Sequence, residues 1–370
     1  RRGASTPSAS FTPFIRINAR TGRFGYAAIP NRRMLNQMEV LMPLDAFPRT
    51  PLCVLPTPLV RASRLEESLG PSAPRIWIKR DDLTGLALGG NKGRKLEFLV
   101  AGALADGATF LITEGAVQSN HARMTAAAAN AAGLGCALVL DAGNGDAVAG
   151  NLLLDHLLGA EVHIVPKPED RAAEMERVAA DLQARGETPY LVPTCGSVPL
   201  GALGYVAAIG ELMDQLRALG EAPVALYHAT GSLGTQAGVV VGARAFAAPF
   251  EVRGIAVSHP AGEKPPRGAA LANETARLMG LEATFSSDDV LVDGGYVGEA
   301  YGKRTPGCLE AIRLLAGTEG ILLDPVYSGK AMAGLIDHIR AGRFRPNQSV
   351  VFLHTGGSPA LFAHGEALLG

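Results

Sequence analysis

From Arg75 onward, short apolar runs alternate with longer stretches in which apolar residues recur at helical spacing. Arg75–Lys79, Thr109–Ile112, Cys136–Leu140, Glu161–Val165 and Tyr190–Val192 have the composition and length of strands. Between them, Lys95–Ala105, Ala122–Ala132, Asn151–Leu158 and Pro168–Arg185 carry helix spacing, the last as a charged amphipathic stretch. The pattern then restarts: Tyr205–Leu219 predicts a helix, Val224–Tyr227 a strand, Gln236–Phe246 a helix and Arg253–Val257 a strand. Strands separated by helices pair in parallel, so the chain is read as α/β, with two open, twisted, mainly parallel sheets. Two such units predict a cleft between them, where ligands of open sheets bind.

The formal net charge of -1 gives no reason to invoke nucleic acid or an anionic membrane as partner. No apolar run reaches the length of a membrane span. Cys53, Cys136, Cys195 and Cys308 are scattered without metal-type spacing; reduced thiols in a cytoplasmic protein are the expectation, and no metal site is expected. Cys195, beside a Gly-Ser turn, is read as a buried structural thiol, the alternative being a cavity-facing one. Residues 1–42 differ from the rest: seven arginines precede Glu39, the first acidic residue. This segment is either an organelle leader or an over-called start ahead of Met34, Met38 or Met42. The second reading is preferred, and the segment is expected to be disordered.

Three loops carry candidate chemistry. Gly89-Gly90-Asn91-Lys92 places a lysine after two glycines at the start of a helix, where a solvated lysine would oppose the helix dipole. An amine attacks an aldehyde only when neutral and held in place. Lys95, three residues on, is expected on the same helix face or in solvent. Gly231-Ser232-Leu233-Gly234-Thr235 follows a strand and opens a helix, so its N–H groups and hydroxyls can surround a phosphate. Gln118-Ser119-Asn120-His121 also joins strand to helix; Ser119 or Asn120 either caps that helix or meets a ligand, and His121 is as readily structural. An amine, a ring partner and a phosphate cradle together point to a pyridoxal-phosphate enzyme acting on a small amino acid.

Longer matches extend the case: Pro56-Thr57-Pro58, Lys79-Arg80-Asp81-Asp82, Arg94-Lys95-Leu96-Glu97, Gly201-Ala202-Leu203-Gly204-Tyr205, Gly320 through Tyr327, and His354-Thr355-Gly356-Gly357. On these motifs, from about Phe47 to Phe362, the chain resembles the fold-type II pyridoxal-phosphate enzymes that include 1-aminocyclopropane-1-carboxylate deaminase and D-cysteine desulfhydrase. The resemblance implies a tryptophan synthase beta-like fold, a homodimer, a larger cofactor-binding domain (43–95 with 205–370) and a smaller one (96–204). It implies that Lys92 carries the cofactor, with Asn91, Asn120, Gly231, Ser232, Leu233, Gly234, Thr235, Ser328 and Thr355 around it. It further implies that Ser119, Asn120, His121, Tyr301 and Tyr327 face the substrate, and that Lys92, Ser119 and the tyrosines do the chemistry.

Ser328 and Thr355 stand where deaminases of this family carry Glu and Leu, and small hydroxyls match the desulfhydrase pattern. The implied reaction is β-elimination from D-cysteine to pyruvate, ammonia and hydrogen sulfide. L-Cysteate cleavage and cyclopropane deamination are the alternative reactions. A pyridoxal-phosphate-binding protein without turnover is the alternative of a different class.

Overall fold

The computed structural model describes residues 16–18, 23–25, 44–142, 148–365 and 368. Within the leader, β1 (Arg16–Asn18) and β2 (Arg23–Gly25) pair antiparallel; the rest of 1–42, and with it the expectation of disorder, lies outside the described residues.

The apolar runs form two sheets. The larger has the order β11-β10-β9-β12-β4-β3, built from β3 (Leu59–Arg61), β4 (Arg75–Lys79), β9 (Ala225–Thr230), β10 (Glu251–Ala256), β11 (Leu291–Asp293) and β12 (Ser349–Leu353). All its pairings are parallel except the edge pair β3–β4. The smaller sheet is wholly parallel in the order β7-β6-β5-β8, with β5 (Phe110–Ala116), β6 (Gly135–Asp141), β7 (Glu161–Val165) and β8 (Pro189–Leu191). Separate apolar cores form on the two faces of each sheet, as parallel strands covered by helices require.

Helices α2 (Lys92–Ala105), α3 (Asn120–Ala132), α6 (Pro199–Leu219) and α7 (Gly234–Ala245) position the site. α6 begins six residues before the expected Tyr205, because Pro199 suits a first turn that needs no N–H from it. In the C-terminal third, α9 (Pro306–Glu319) and α10 (Ser328–Arg340) complete the core on one face of the larger sheet, and α8 (Lys264–Leu278) that on the other. Among the described residues, no helix is long and apolar enough to cross a membrane.

α6 lies between α2 and α7, close enough for backbone contact. A Cβ on Gly204 would sit 2.2 Å from the Arg94 carbonyl oxygen, and one on Gly238 2.3 Å from that of Ala202. Small residues at these crossings therefore set how near the starts of α2 and α7 approach each other. Inside this layer lies a buried ionic cluster. Arg94 on α2 donates to both oxygens of Asp81, each at 2.8 Å, and to Glu211 on α6 at 2.9 and 3.0 Å. Tyr205 and Thr57 donate to Asp81 at 2.7 Å each, and Lys79 pairs with Glu211.

Gly204→Ala is expected to lower unfolding stability by about 1–3 kcal/mol, as overpacking does. A shift of the urea midpoint at unchanged slope would report it; an unchanged midpoint would show that α6 and α2 are free to move apart.

Candidate active site

Lys92 is the first residue of α2. The turn before it is held by Thr84, whose hydroxyl accepts from Gly90 N–H at 2.8 Å and donates to Gly90 O at 3.0 Å. Gly89 and Gly90 have φ of 70° and 129°, and a Cβ on Gly89 would meet the Asp82 carbonyl oxygen at 2.0 Å. Both glycines are thus required by backbone geometry. Asn91 N–H donates to the Thr355 carbonyl at 3.0 Å, which fixes this turn to the end of β12. Lys92 Nζ lies 3.0 Å from Asn91 Oδ1, and Asn91 Nδ2 reaches Thr235 Oγ1 at 3.0 Å. Burial lowers the Lys92 pKa below the ordinary lysine range; Arg123 acts in the same direction, while Cys195 and Asp324 oppose it.

The second wall is the turn from β9 into α7. Leu233 takes a left-handed conformation (φ 74°) so that the chain can turn sharply at Gly234. Ser197 Oγ accepts from Gly234 N–H at 3.3 Å and donates to Ser232 Oγ at 2.8 Å. Lys95 lies under this turn, contrary to the expectation that it would follow the Lys92 face or reach solvent. It is 1% exposed, donates to Cys195 O at 3.2 Å, and its Nζ would stand 2.7 Å from a Cβ on Gly234. Burial, and then Lys92, push its pKa well below the ordinary lysine range. A buried amine beneath a glycine-lined concavity fits an anionic phosphate, which would supply the missing counter-charge.

The third wall is the start of α3. Ser119 is its N-cap, accepting from Ala122 N–H at 3.2 Å, so the capping reading holds for this residue. Gly115 is needed opposite it, because a Cβ there would lie 2.6 Å from Ser119 Oγ. Asn120 opens the helix and borders the cavity. His121 does not. Its ring turns into the smaller sheet, Nε2 3.0 Å from Thr113 Oγ1, and burial holds its pKa well below the usual value. One residue into the helix, the backbone rotation carries this side chain to the buried face, away from the cavity that Asn120 borders.

Tyr301 and Tyr327 meet hydroxyl to hydroxyl, their rings edge to face at 6.0 Å. Tyr301 is open to the cavity, yet the surrounding protein displaces enough water to raise its pKa to about 12. Burial, and then the neighbouring Tyr301, raise Tyr327 further. Asp324 organises this corner: Oδ2 accepts from the N–H groups of Val326 (2.8 Å) and Tyr327 (2.9 Å), Oδ1 from Ser328 N–H (2.7 Å) and Oγ (2.6 Å). Ser328 is consequently 1% exposed, set one layer behind the cavity with its hydroxyl 3.3 Å from the carbonyl of Gly356, which borders it. Thr355 does border it.

Together these walls enclose a cavity of about 390 Å³ bordered by Asn91, Lys92, Ser119, Asn120, Gly231, Ser232, Leu233, Thr235, Tyr301, Tyr327 and Thr355. Cys195 borders it too, half-buried and in a left-handed conformation, so the cavity-facing alternative holds for this thiol. Sequence reasoning missed Lys95, Asp324 and Gly115. The Lys-Gly-Arg-Lys spacing and the Asp324-Pro325 turn before Tyr327 were the available signals.

The pyridoxal-phosphate dependent enzyme family matches residues 51–356. The D-cysteine desulfhydrases of Salmonella typhi and Salmonella newport (strain SL254) are each 43% identical over 327 residues, covering 87% of this chain and 97% of theirs. A solved structure described as an ACC deaminase homologue superposes with a TM-score of 0.81 at 37% identity, covering 88% of this chain and 97% of that one. The processed form of threonine deaminase isoform 2 from Solanum lycopersicum (TM-score 0.62, 19% identity, 89% and 84% covered) is similar in fold. With a buried amine-bearing turn, a facing glycine turn and a family match across both sheets, the chain belongs to the pyridoxal-phosphate dependent enzymes of fold type II, and pyridoxal 5'-phosphate is its cofactor.

Proposed function

We propose that this enzyme cleaves the Cβ–S bond of D-cysteine, yielding pyruvate, ammonia and hydrogen sulfide with uptake of one water. The carrying observation is Lys92 Nζ in a cavity that also holds a protonated tyrosine pair and the capped start of α3. The desulfhydrase relatives, matched over nearly their whole length, support the substrate.

In this reading the N–H groups and hydroxyls of Gly231–Thr235 hold the cofactor's phosphate, Lys95 balances its charge from below, and Lys92 carries it covalently. The bound cofactor supplies an electron-withdrawing ring that takes up the pair left at the substrate's α-carbon. Ser119 and the N-terminus of α3 bind the substrate carboxylate, where the helix dipole favours negative charge. Lys92 Nζ, made less basic by burial, accepts the α-proton. Both tyrosines are protonated at neutral pH, as phenols ordinarily are, and burial raises them further, so one can give its proton to the departing sulfur while the other shares the hydrogen bond left behind. A cytoplasmic homodimer completes the proposal on the family resemblance, and sedimentation at twice the chain mass is its check.

Purified holoenzyme is expected to release pyruvate and sulfide from D-cysteine and not from L-cysteine, and Lys92→Ala to lose both turnover and the cofactor's visible absorbance. Sulfite from L-cysteate, or 2-oxobutanoate from 1-aminocyclopropane-1-carboxylate, as the preferred product would overturn the substrate assignment while leaving Lys92 in its role.

Tyr327→Phe should lower kcat on D-cysteine by roughly 100-fold, the low end for a lost general acid, with KM little changed. β-Chloro-D-alanine, whose chloride leaves without a proton, should be turned over by this variant nearly as fast as by the parent. An equal loss on both substrates would remove the tyrosine pair from protonation of the leaving group.

A further inference from the structure

Arg123, on the second turn of α3, is fully buried and stands outside every role assigned above. Its Nη1 donates to Asn120 Oδ1 at 3.1 Å and to Asn151 Oδ1 at 2.8 Å, and its Nη2 donates to the Gly89 carbonyl at 2.9 Å. Among the described residues it has no carboxylate within ion-pair distance. The nearby Asp155 is buried, and neither of its oxygens has a hydrogen-bond partner. Burial raises Asp155 to about 7 and lowers Arg123 to about 10, so the guanidinium keeps its charge at neutral pH and faces carbonyl oxygens.

This geometry settles the orientation of Asn120. A guanidinium has only donors, so the Asn120 atom facing it must be the amide oxygen. Asn151 Nδ2 donates to the same oxygen at 3.1 Å, and is itself anchored by a second bond to Gln118 O at 2.8 Å. With Oδ1 doubly engaged, the amide nitrogen of Asn120 is the end left for the cavity, and it makes no hydrogen bond among the described residues. A rotated amide would set its NH2 against a buried cation, at the cost of both bonds.

We infer, taking Asn120 as the residue that bonds the cofactor's ring oxygen, as the family resemblance implies, that Arg123 is a positioning residue: it locks Asn120 as a hydrogen-bond donor to that oxygen. Through the Gly89 carbonyl, the same guanidinium holds the turn that carries Lys92 against α3. One buried charge thereby sets the distance between the amine and the ring partner.

The test uses holoenzyme and follows two signals, the pH midpoint of the visible cofactor band and the rate of cofactor loss on dilution. Asn120→Ala removes the donor, which leaves an oxygen anion less stabilised and should raise the midpoint by about one pH unit, a tenfold change in the equilibrium. Arg123→Lys keeps the charge and loses the fork; it should raise the midpoint similarly and speed cofactor loss about tenfold. In the double variant, the midpoint should match that of Asn120→Ala alone. Asn151→Ser, which removes one partner of each residue, should give a smaller shift of the same sign and serves if Arg123→Lys does not fold. A shift with Asn120→Ala but none with Arg123→Lys or Asn151→Ser would overturn the role of Arg123, as would shifts that simply add. No shift with Asn120→Ala would instead overturn the ring contact itself.

Discussion

Arg94 cannot shed its charge, and it lies where water does not reach. Everything near the amine-bearing turn is arranged around that constraint. Asp81 and Glu211 receive the guanidinium in four hydrogen bonds, while Thr57, Tyr205 and Lys79 satisfy the remaining carboxylate lone pairs. Burial would raise Asp81, but Arg94 outweighs it and holds the carboxyl below its ordinary range. A charge left alone in such a cluster costs roughly 3–5 kcal/mol, so the members are bound to one another more strictly than apolar neighbours would be. The cluster joins the end of β4, the first turn of α2 and the middle of α6, and so fixes the start of α2 two residues from Lys92.

Close helix packing carries that anchor across to the glycine turn before α7. Gly204 lets α6 rest on the Arg94 carbonyl, and Gly238 lets α7 rest on Ala202. With these contacts in place, Asn91 and Thr235 can share a hydrogen bond, and Lys95 can enter beneath Gly234. Lys95 and Arg123 are then two buried basic groups beside the cavity, one beneath the glycine turn at Gly234 and one behind the Asn120 amide. Asp324 does comparable work on the far wall, gathering four donors so that Tyr327 is presented to the cavity and Ser328 is not.

The alternation of strands and helices up to Val257 was legible because parallel strands covered on both faces leave continuous apolar runs. Most boundaries moved by only a few residues. The C-terminal third was legible only through its motifs: α8 mixes prolines, glycine and charges, and its helicity comes from packing on α6 and α7. Lys92, Ser119 and the glycine turn were visible as residues of the right chemistry at strand-to-helix junctions. That His121 and Ser328 lie behind the cavity wall was not legible, because family motifs locate a residue in the chain, whereas a helix turns each successive side chain by about 100°.

By itself, the sequence determined the α/β class and the kind of cofactor, and pointed to the amine and the glycine turn as candidates, since these depend on local order: which residue follows which at the end of a strand. Tertiary structure alone decided which of the nearby polar groups are charged, buried and aimed. Lys95, Arg123 and Asp324 look like ordinary surface residues in the chain, and are drawn to the site only when residues 28 to 139 positions away close around them. Burial creates the need for partners, and no local pattern encodes burial that distant segments provide.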